Sequence, residues 1–545
     1  MSAAYSPQAA QRPARRDGIR CRLSLLLLLL VLPWALAGQT QDKASLRKYS
    51  AKHPKEPEPY FQLGLIAARE DKNVTAIRRY FSRLEELAPD YPNPLAHYYF
   101  AIIDYTDEHY EQAVLHLQRY FDLASQSQER DVMAVYEEAS NYLYWSQFLA
   151  EALLNQVPFH PQRLEGVSSG AVEMLPFLTW DGKECYYLRN IAQRSPSTFY
   201  AQAQERTVPT LCVSQRRDTL FTSGTPLSYP FNQGAPEGNV SLTADGNTMY
   251  YTRQGAQSFD IYRVERKEGQ WQEAEALGPQ VNEPRYWDAQ PTVSADGQWL
   301  YFASNRPGGQ GGTDIWRCHR LPNGDWSRAE NLGPTVNTPG NEKSPFLHAD
   351  GHTLYFSSDG WQGFGGYDMY FINLRSADQR PTNLGMPLNG EGDDICFGIT
   401  ADGTHGYYAD KDIYLFELYP DARPEPMRVE ACQGEKVVVR RAGADDAVYL
   451  HPQAIMLPLR ERCVVARYEG DSLTIHATLT DRHGALTAEG RMALDLYASH
   501  LLAHPRLRAR LEGPRSLLDY LCAQGLRPER LLHVPADKAS VILIH

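Results

Sequence analysis

Hydrophobic residues along this chain of 545 residues recur with three different periods. In the segment 60–121 apolar and small residues recur at helical spacing, which is typical of helices that bury one face. In the segment 165–420 apolar and polar residues alternate in short runs, as in strands with one face buried. After residue 427 a short β-rich stretch precedes two helical segments and a closing strand. The pattern predicts a multidomain chain with an α, an all-β and an α/β part.

The β-rich middle is divided by five copies of one phrase, an Asp-Gly pair followed by an aromatic-rich strand. The copies are 64, 51, 54 and 52 residues apart and begin at Asp181, Asp245, Asp296, Asp350 and Asp402. Asp-Gly between β-rich runs predicts a hairpin, because glycine takes a positive φ without a Cβ penalty. Self-similarity at about 40–50 residues is typical of stacked four-stranded units, so we expect a β-propeller.

Two further phrases keep a fixed order around each turn. A Leu-Gly-x-x-(Val or Leu)-Asn phrase precedes the turn, and an Asp-(Ile or Met)-aromatic phrase follows it. The recurring residues are Asn282, Asn337 and Asn389, with Asn232 in the same place without the Leu-Gly, and then Asp260, Asp314, Asp368 and Asp412. A repeated Asp can bond turn amides, so we interpret these aspartates as structural. In the irregular first copy we expect the third strand at Asp218–Phe221, after an insertion that contains Ser195-Pro-Ser197.

Taken together, the phrases resemble the PD40 blade repeat, a WD40-like type also found in the TolB propeller of Gram-negative envelopes. The resemblance covers residues 165–420 and implies five blades, or six if the segment Arg428–Arg441 contributes strands. Tyrosine is abundant, with 33 residues against 18 phenylalanines. This excess suits amphipathic strands and exposed loop platforms.

The helical segment repeats with a period of 34 residues. The matched pairs are Tyr60 with Pro94, Gly64 with Tyr98, and Ala67 with Ala101. Small residues at these places let paired helices approach closely, and prolines mark the unit boundaries. The segment 43–125 resembles tetratricopeptide repeats, within a helical domain 43–160 in which Arg130–Leu154 makes a third pair or a cap. The resemblance implies a peptide- or partner-binding surface, with a purely packing role as the alternative.

After the propeller we expect a small β-rich module at 427–480 and a β-α domain at 481–545. The latter resembles an OmpA-type peptidoglycan-binding domain, with Leu494–Pro505 as its first helix and Leu507–Gly513 as the strand before its signature. Here Gly513 runs straight into Pro514-Arg515-Ser516, so the family's signature loop is absent.

Two consequences follow from that missing loop. The aspartate that grips the diaminopimelate group in the family has no counterpart, and Arg515 is displaced from the place of the family's arginine. We therefore expect a shortened OmpA-like domain that binds peptidoglycan poorly or not at all. Its strand would instead present a basic face made of Arg506, Arg508 and Arg510.

The amino terminus predicts export. Five arginines between residues 12 and 22 precede the apolar run Leu23–Leu32, and Ala35-Leu36-Ala37 supplies a small-x-small cleavage pattern. We interpret residues 1–37 as a secretory signal peptide, because the apolar run is too short to span a membrane, and this predicts a periplasmic location. The net charge of −12 argues against non-specific binding to nucleic acid.

The candidate chemistry in the chain is sparse. Gly166-Val-Ser168-Ser-Gly170 matches the G-x-S-x-G pattern, but it precedes the first blade instead of joining a strand to a helix, so no catalytic role is predicted. The loops Gly308–Asp314 and Gly363–Asp368 are interpreted as strand connections and not as phosphate or calcium sites. No Cys/His cluster has metal-ligand spacing in the sequence, so neither a metal nor a cofactor is expected.

Cysteines are the remaining candidates. Seven of the eight would follow the signal peptide, an odd number for an oxidising compartment. Cys432 and Cys463 form the best local pair for a disulfide, although spacing cannot establish a bond. For the propeller cysteines a role as small buried hydrophobes is the alternative.

The order of the predicted domains is similar to that of PorE-like accessory proteins of the type IX secretion system. The resemblance implies a non-enzymatic periplasmic scaffold or adaptor that links envelope proteins, with secretion components among its partners. The alternative, from another functional class, is a sensory or binding module that recognises a peptide or glycan in the propeller channel.

Overall fold

The computed structural model describes residues 43–194, 205–321, 323–376, 380–431, 436–441, 447–450, 454–458, 463–469, 472–536 and 538–544. The signal peptide predicted at residues 1–37, the insertion at Ser195–Ser197 and Cys432 lie outside these residues. The chain divides into two compact units, Met1–Gln156 and Val157–His545. The second unit therefore begins inside the segment 43–160 that we assigned to the helical domain.

The first unit is helical, as its hydrophobic spacing predicts. Its helices are α1 Lys43–Lys52, α2 Glu58–Ile66, α3 Val74–Leu87, α4 Pro94–Thr106, α5 Tyr110–Ala124, α6 Arg130–Ala134 and α7 Tyr136–Leu154, with a π-helical turn at Ala67–Asp71. Asn73 and Asn93 cap α3 and α4, since each side-chain oxygen accepts a hydrogen bond from a first-turn amide. Gly64 lets α2 approach α3, because a Cβ there would lie 2.6 Å from the ring of Phe81.

The second unit opens with five consecutive antiparallel sheets of short strands. The first sheet contains β2 Glu173–Leu178, β3 Glu184–Arg194, β4 Glu205–Arg217, β5 Leu220–Phe221 and β6 Thr225–Pro226. The second contains β7 Glu237–Leu242, β8 Thr248–Gln254, β9 Phe259–Lys267, β10 Gln270–Trp271 and β11 Glu275–Ala276. The third contains β12 Asp288–Val293, β13 Trp299–Ser304, β14 Asp314–His319 and β15 Glu330–Asn331. The fourth contains β16 Glu342–Leu347, β17 Thr353–Ser358, β18 Asp368–Asn373 and β19 Thr382–Asn383.

The fifth sheet joins the two ends of this region. It contains β20 Gly398–Ile399, β21 His405–Asp410, β22 Asp412–Glu417 and, from the other end, β1 Gln162–Arg163. β1 pairs antiparallel with β22, and Arg163 forms an ion pair with Asp412 at 2.9 Å. A strand that precedes the first sheet therefore completes the last one.

Hydrogen bonds also link each sheet to the next and the fifth sheet back to the first. They run from Trp180 Nε1 to Leu242 O (3.0 Å), Val293 N to Ser241 Oγ (3.0 Å), Leu347 N to Thr292 Oγ1 (3.0 Å), His348 Nε2 to Ala401 O (3.1 Å) and Leu178 N to Tyr407 Oη (3.3 Å). The five sheets form a closed ring.

The Asp-Gly phrases are the predicted hairpins between the first two long strands of each sheet. All five glycines have positive φ, between +66° and +75°, and each donates its N–H to the carbonyl three residues earlier at 2.8 to 3.0 Å. Each aspartate accepts a hydrogen bond from the amide two residues later. The glycines are needed because a Cβ is strained at this φ.

The third strand of the first sheet differs from our prediction. It is β4, which pairs with all of β3 through residues 205–215, whereas Asp218–Phe221 forms only the turn into β5 and that short strand. Asp218, with a φ of +56°, lies in the turn between β4 and β5. β3 and β4 have 11 and 13 residues, more than the corresponding strands of the other four sheets, and β4 carries no Asp-(Ile or Met)-aromatic phrase.

Many tyrosines of the propeller fill the core between the sheets. Eight of those in the described part of the five sheets are buried, namely Tyr186, Tyr187, Tyr250, Tyr251, Tyr301, Tyr355, Tyr370 and Tyr407, whereas the loop residue Tyr229 is exposed. The hydroxyl of Tyr355 donates to Ala422 O at 2.6 Å, and that of Tyr187 lies 3.1 Å from Ser214 Oγ. A ring that reaches a polar partner at the edge of the core can be buried without leaving its hydroxyl unpaired.

The segment Arg428–Arg441 does not extend the ring. Its strands β23 Met427–Ala431 and β24 Lys436–Arg441 pair with β26 Ala454–Pro458 and with β25 Ala447–Leu450 and β27 Cys463–Glu469, respectively. The order of the second of these sheets is β25-β24-β27-β28, with β28 at Ser472–His476. The alternative of a sixth blade from this segment is therefore wrong.

The carboxyl-terminal part is a small α/β layer. It contains α8 Ala488–Ala503, β29 Arg508–Glu512, α9 Ser516–Ala523, β30 Leu531–Val534 and β31 Ser540–Ile544. β29 is the central strand, parallel to β30 and antiparallel to β31. Leu507, Ala509 and Leu511 are buried with residues of both helices, so one face of the sheet is covered. In the described part of the chain no helix has the length and apolarity needed to cross a bilayer.

Candidate functional site

The inner strands of the five sheets converge on one small cavity. In each sheet one residue that lines it has a left-handed backbone, namely Leu175 (φ +55°), Asn239 (+47°), Gln290 (+55°), Ser344 (+49°) and Cys396 (+62°). We call these five residues the axial ring. Each lies six residues before the Asp of an Asp-Gly turn, and in the first four sheets it sits at a β-bulge. The central sheets form a β-propeller.

Comparisons with known proteins add little to this assignment. No protein-family model matches the chain, and no curated protein matches it. Among solved structures, similar chains include TolB from Acinetobacter baumannii (16% identity, 46% of this chain and 56% of that chain, TM-score 0.29). A second is a protein described as TolB from Agrobacterium tumefaciens (16% identity, 46% of this chain and 92% of that chain, TM-score 0.27). A third is a glycosyl hydrolase from Bacteroides ovatus (12% identity, 50% of this chain and 96% of that chain, TM-score 0.30). At such TM-scores these likenesses carry no argument, and the propeller is inferred from its own closed ring.

The axial ring closes the propeller axis with its own side chains. Gln290 donates from Nε2 to Ser344 Oγ at 3.1 Å and accepts from Ser344 N at 2.9 Å. Cys396 Sγ lies 3.5 Å from Ser344 Oγ and 3.9 Å from Asn239 Nδ2. Burial raises the pKa of the Cys396 thiol, so this group stays a neutral thiol and not a nucleophilic thiolate.

The cavity at the axial ring has a volume of about 40 Å³. A water molecule needs about 10–15 Å³ measured in this way, so there is room for about three. Sites for drug-sized ligands are larger by roughly an order of magnitude. The cavity at the axial ring is therefore too small to enclose a peptide or glycan.

Acidic residues begin the inner strands of the first four sheets. Glu173 forms an ion pair with Arg189 (2.8 Å), and Asp288 forms one with Arg306 (2.6 Å). Glu342 is buried without an arginine; it accepts hydrogen bonds from Thr338 and Ser358. Burial raises the pKa of Glu342 to about 7. These carboxyls hold the preceding loops against the ring.

The recurring polar residues of the repeat are likewise structural. Each asparagine holds the backbone at the third long strand of the preceding sheet: Asn337, for example, accepts from Ile315 N and donates to Ile315 O, at 2.8 and 3.0 Å. Asp314 accepts from Gln310 N, and Asp368 from Phe364 N, both at 2.8 Å. The loops that contain them connect the second and third strands of their sheets, in agreement with our interpretation.

The remaining aspartates of that phrase, Asp260 and Asp412, also lie at the start of a strand, in β9 and β22. Asp412 pairs with Arg163 across the closing strand, and Asp260 lies against Gly255, where a Cβ would come within 2.2 Å of its carboxylate. Ser168 also belongs to the closure: its hydroxyl donates to Ile413 O at 3.2 Å and accepts from Ile413 N at 3.1 Å. The hydroxyl of Ser168 is therefore engaged by the backbone of β22.

The C-terminal sheet leaves one face exposed, and this face carries two of the three predicted basic residues, whereas Arg506 lies in the turn before the strand. Arg508 and Arg510 are exposed on β29, opposite Ile544 on β31 and Leu532 on β30, respectively, and Arg510 also faces Ile542. The exposed fractions are 57% for Leu532, 47% for Ile542 and 38% for Ile544. We call these five residues the open sheet face. Its apolar residues were not predicted from the sequence, because an alternating strand pattern does not show which of its faces stays uncovered.

Two further predicted residues lie away from any cluster. The side chain of Arg515 is 79% exposed at the start of α9, and its Nε lies 3.8 Å from Asp519 Oδ1. The predicted disulfide stays a prediction, because Cys432 and the side chain of Cys463 are outside the described residues. The described cysteines are free thiols: Cys185, Cys212, Cys318, Cys396 and Cys522.

The first unit contains a group of side chains that sequence spacing did not reveal. Glu85, Asp104 and His116 come from three different helices and could hold a metal ion. Burial, and then the charge of Glu85, raises the pKa of Asp104 to about 6. Burial lowers the pKa of the neighbouring His97 to about 4, so that this imidazole is neutral.

Proposed function

We propose that this chain is a non-enzymatic scaffold or adaptor of the bacterial cell envelope. Its role would be PorE-like, in association with type IX secretion or with the linkage between outer membrane and peptidoglycan. The proposal includes a periplasmic location, a five-bladed propeller, a tetratricopeptide-type helical unit and a shortened OmpA-like end. It is supported by the order of these parts and by the leader-like amino terminus.

The observation that carries the proposal is the open sheet face. Arg508 and Arg510 stand beside exposed aliphatic side chains on a sheet whose other face is packed on helices. Apolar side chains grouped at a surface are solvated unfavourably unless a partner covers them. Arg508, together with Arg510, which also pairs with Glu512 at 3.0 Å, favours a partner with an acidic rim. A protein with acidic residues around an apolar patch fits this surface.

Peptidoglycan is the less favoured partner. Binding the zwitterionic end of diaminopimelate takes a carboxylate for its ammonium and a guanidinium for its carboxylate, both in fixed geometry. Arg515 is exposed and its nearest charged partner is Asp519 in its own helix, so it is not held for such a ligand. We therefore propose that this end docks a protein and does not anchor the chain to the cell wall.

Affinity purification from crosslinked envelopes tests the proposal. The tagged full chain should recover a defined envelope protein, and Arg508→Glu combined with Arg510→Glu should lose most of that recovery. The control is Arg482→Glu combined with Arg527→Glu, which makes the same change of charge at two exposed positions of the same region. Equal recovery by both double variants would refute the assignment of the docking face.

A further inference from the structure

Three helices of the first unit bring two carboxylates and one imidazole together. Glu85 lies near the end of α3, Asp104 near the end of α4, and His116 in the second turn of α5. One ligand atom from each, His116 Nε2 and a carboxylate oxygen from Glu85 and Asp104, lies within 4.8 Å of the other two. His116 Nε2 is 3.0 Å from Glu85 Oε1 and 3.7 Å from Asp104 Oδ2.

These separations are close to those of a metal coordination sphere. Ligand atoms bound tetrahedrally at about 2.0–2.1 Å from an ion are about 3.4 Å apart. The two distances measured from His116 lie on either side of that value. The third separation, between the oxygens of Glu85 and Asp104, is within 4.8 Å, so rotations of the side chains could bring all three ligand atoms around one ion.

A second histidine orients the first. His97, which is 1% exposed, places its Nδ1 3.2 Å from Nδ1 of His116. If His97 accepts this hydrogen bond, Nδ1 of His116 carries the proton and its Nε2 lone pair points towards the two carboxylates. Histidine ligands of metals are commonly oriented by such a second hydrogen bond.

Asp104 supplies an independent observation. The residue is 9% exposed, and its Oδ2 atom is buried without a hydrogen-bond partner among the described residues. A buried carboxylate oxygen without a hydrogen-bond partner destabilises the folded state, and a cation bound to that oxygen would remove the cost. His109 Nδ1 lies 3.7 Å from the other oxygen, Oδ1, on the exposed side of the group.

We propose that Glu85, Asp104 and His116 bind one divalent transition-metal ion of the zinc class, with a further position open to water. One imidazole with two carboxylates suits such an ion better than calcium, which prefers an all-oxygen sphere. The ion would join α3, α4 and α5, so its role would be to stabilise the helical unit.

Titration of the metal-free full chain with Zn²⁺, followed calorimetrically and without a histidine tag, tests the site. We expect one tight equivalent, at least tenfold weaker or absent in His116→Gln and in Asp104→Asn. His53→Gln is the matched control, because His53 is an exposed histidine of the same unit, and it should bind like the wild type. The positioning variant His97→Leu should weaken binding about 10–100-fold.

Two measurements keep the test decisive if a variant is damaged. Circular dichroism of the metal-free variants must match the wild type, and Co²⁺ added to the wild-type chain should give the visible absorption of a low-symmetry His–carboxylate site. Absence of a stoichiometric Zn²⁺ equivalent in the wild type would overturn the proposal. Binding that is unchanged in both His116→Gln and Asp104→Asn would overturn it equally.

Discussion

Replacing Glu342 by glutamine should stabilise the propeller at alkaline pH and leave its stability at acidic pH almost unchanged. The carboxyl of Glu342 is fully buried at the start of β16. It accepts hydrogen bonds from Thr338 N (2.9 Å), Thr338 Oγ1 (2.6 Å) and Ser358 Oγ (2.7 Å). A glutamine can accept the bond from Thr338 N with its amide oxygen and donate from its NH₂ group to the two hydroxyls, whereas the protonated acid has a single O–H to donate.

The magnitude follows from the pKa of this carboxyl. Burial raises the pKa of Glu342 from 4.5 to about 7. The folded state therefore holds the proton more tightly than the unfolded chain, so stability is lost as the pH rises from 4.5 through about 7 and stays lost above it. A difference of this size corresponds to about 3 kcal/mol. The glutamine has no charge to bury, so it should escape this loss.

Urea unfolding between about pH 5 and about pH 8.5, read by hydrogen exchange of peptides from β16 and β17, measures the effect on this sheet. The wild type should lose stability across the range, while Glu342→Gln should not. Asp288→Asn is the control with the opposite sign, because it leaves Arg306 buried without its partner and should cost about 3–5 kcal/mol at every pH. Parallel pH profiles for the wild type and Glu342→Gln would refute the reasoning.

Three further predictions follow from the turns, the closure and the C-terminal end. Gly351→Val should lower the free energy of unfolding by about 1–3 kcal/mol in thermal unfolding, because the φ of Gly351 is +75°. A Cβ at Gly351 or at Gly170 would meet nothing within 4 Å, and Gly170 has no positive φ, so Gly170→Val should be neutral and isolates the effect of the backbone conformation. Ser168→Ala should lower stability by about 1 kcal/mol through the lost bonds to Ile413, and a lost hydrolytic activity in that variant would contradict our interpretation. Sedimentation with purified sacculi should leave the chain in the supernatant; pelleting that is abolished by Arg515→Ala would show an intact peptidoglycan site.

The local chemistry of the repeat was predictable from the sequence. An Asp-Gly turn needs a glycine at positive φ and a carboxylate beside an amide, and both requirements fall within a few neighbouring residues. Gly297 and Gly351 therefore have the expected conformation. Helix α9, Ser516–Ala523, likewise corresponds to the second of the two helical segments expected after the β-rich stretch.

What the sequence concealed depends on contacts between distant residues. The closing strand β1 contains two residues and carries no repeat phrase, and Arg163 is 249 positions from its partner Asp412. The axial ring occupies one position of the repeat, but Leu175, Gln290 and Cys396 share no chemistry, so only the backbone reveals the equivalence.

The group in the helical unit was hidden for the same reason. Glu85, Asp104 and His116 lie on three helices whose relative placement is set by packing, and their spacing along the chain matches no ligand pattern. Sequence motifs for metals detect ligands that share an element or a loop. A site assembled across helices becomes visible only when the helices are in place.

The claim that this protein is a scaffold is tested most directly by photocrosslinking in intact cells. A photoreactive residue at Ile542 would report contacts of the open sheet face, and one at Leu220 would serve as a control of comparable exposure, 47% against 57%. If the open sheet face docks a partner, Ile542 should capture one defined envelope protein and Leu220 should not. Capture of that protein equally well from both positions, or from neither, would contradict the claim.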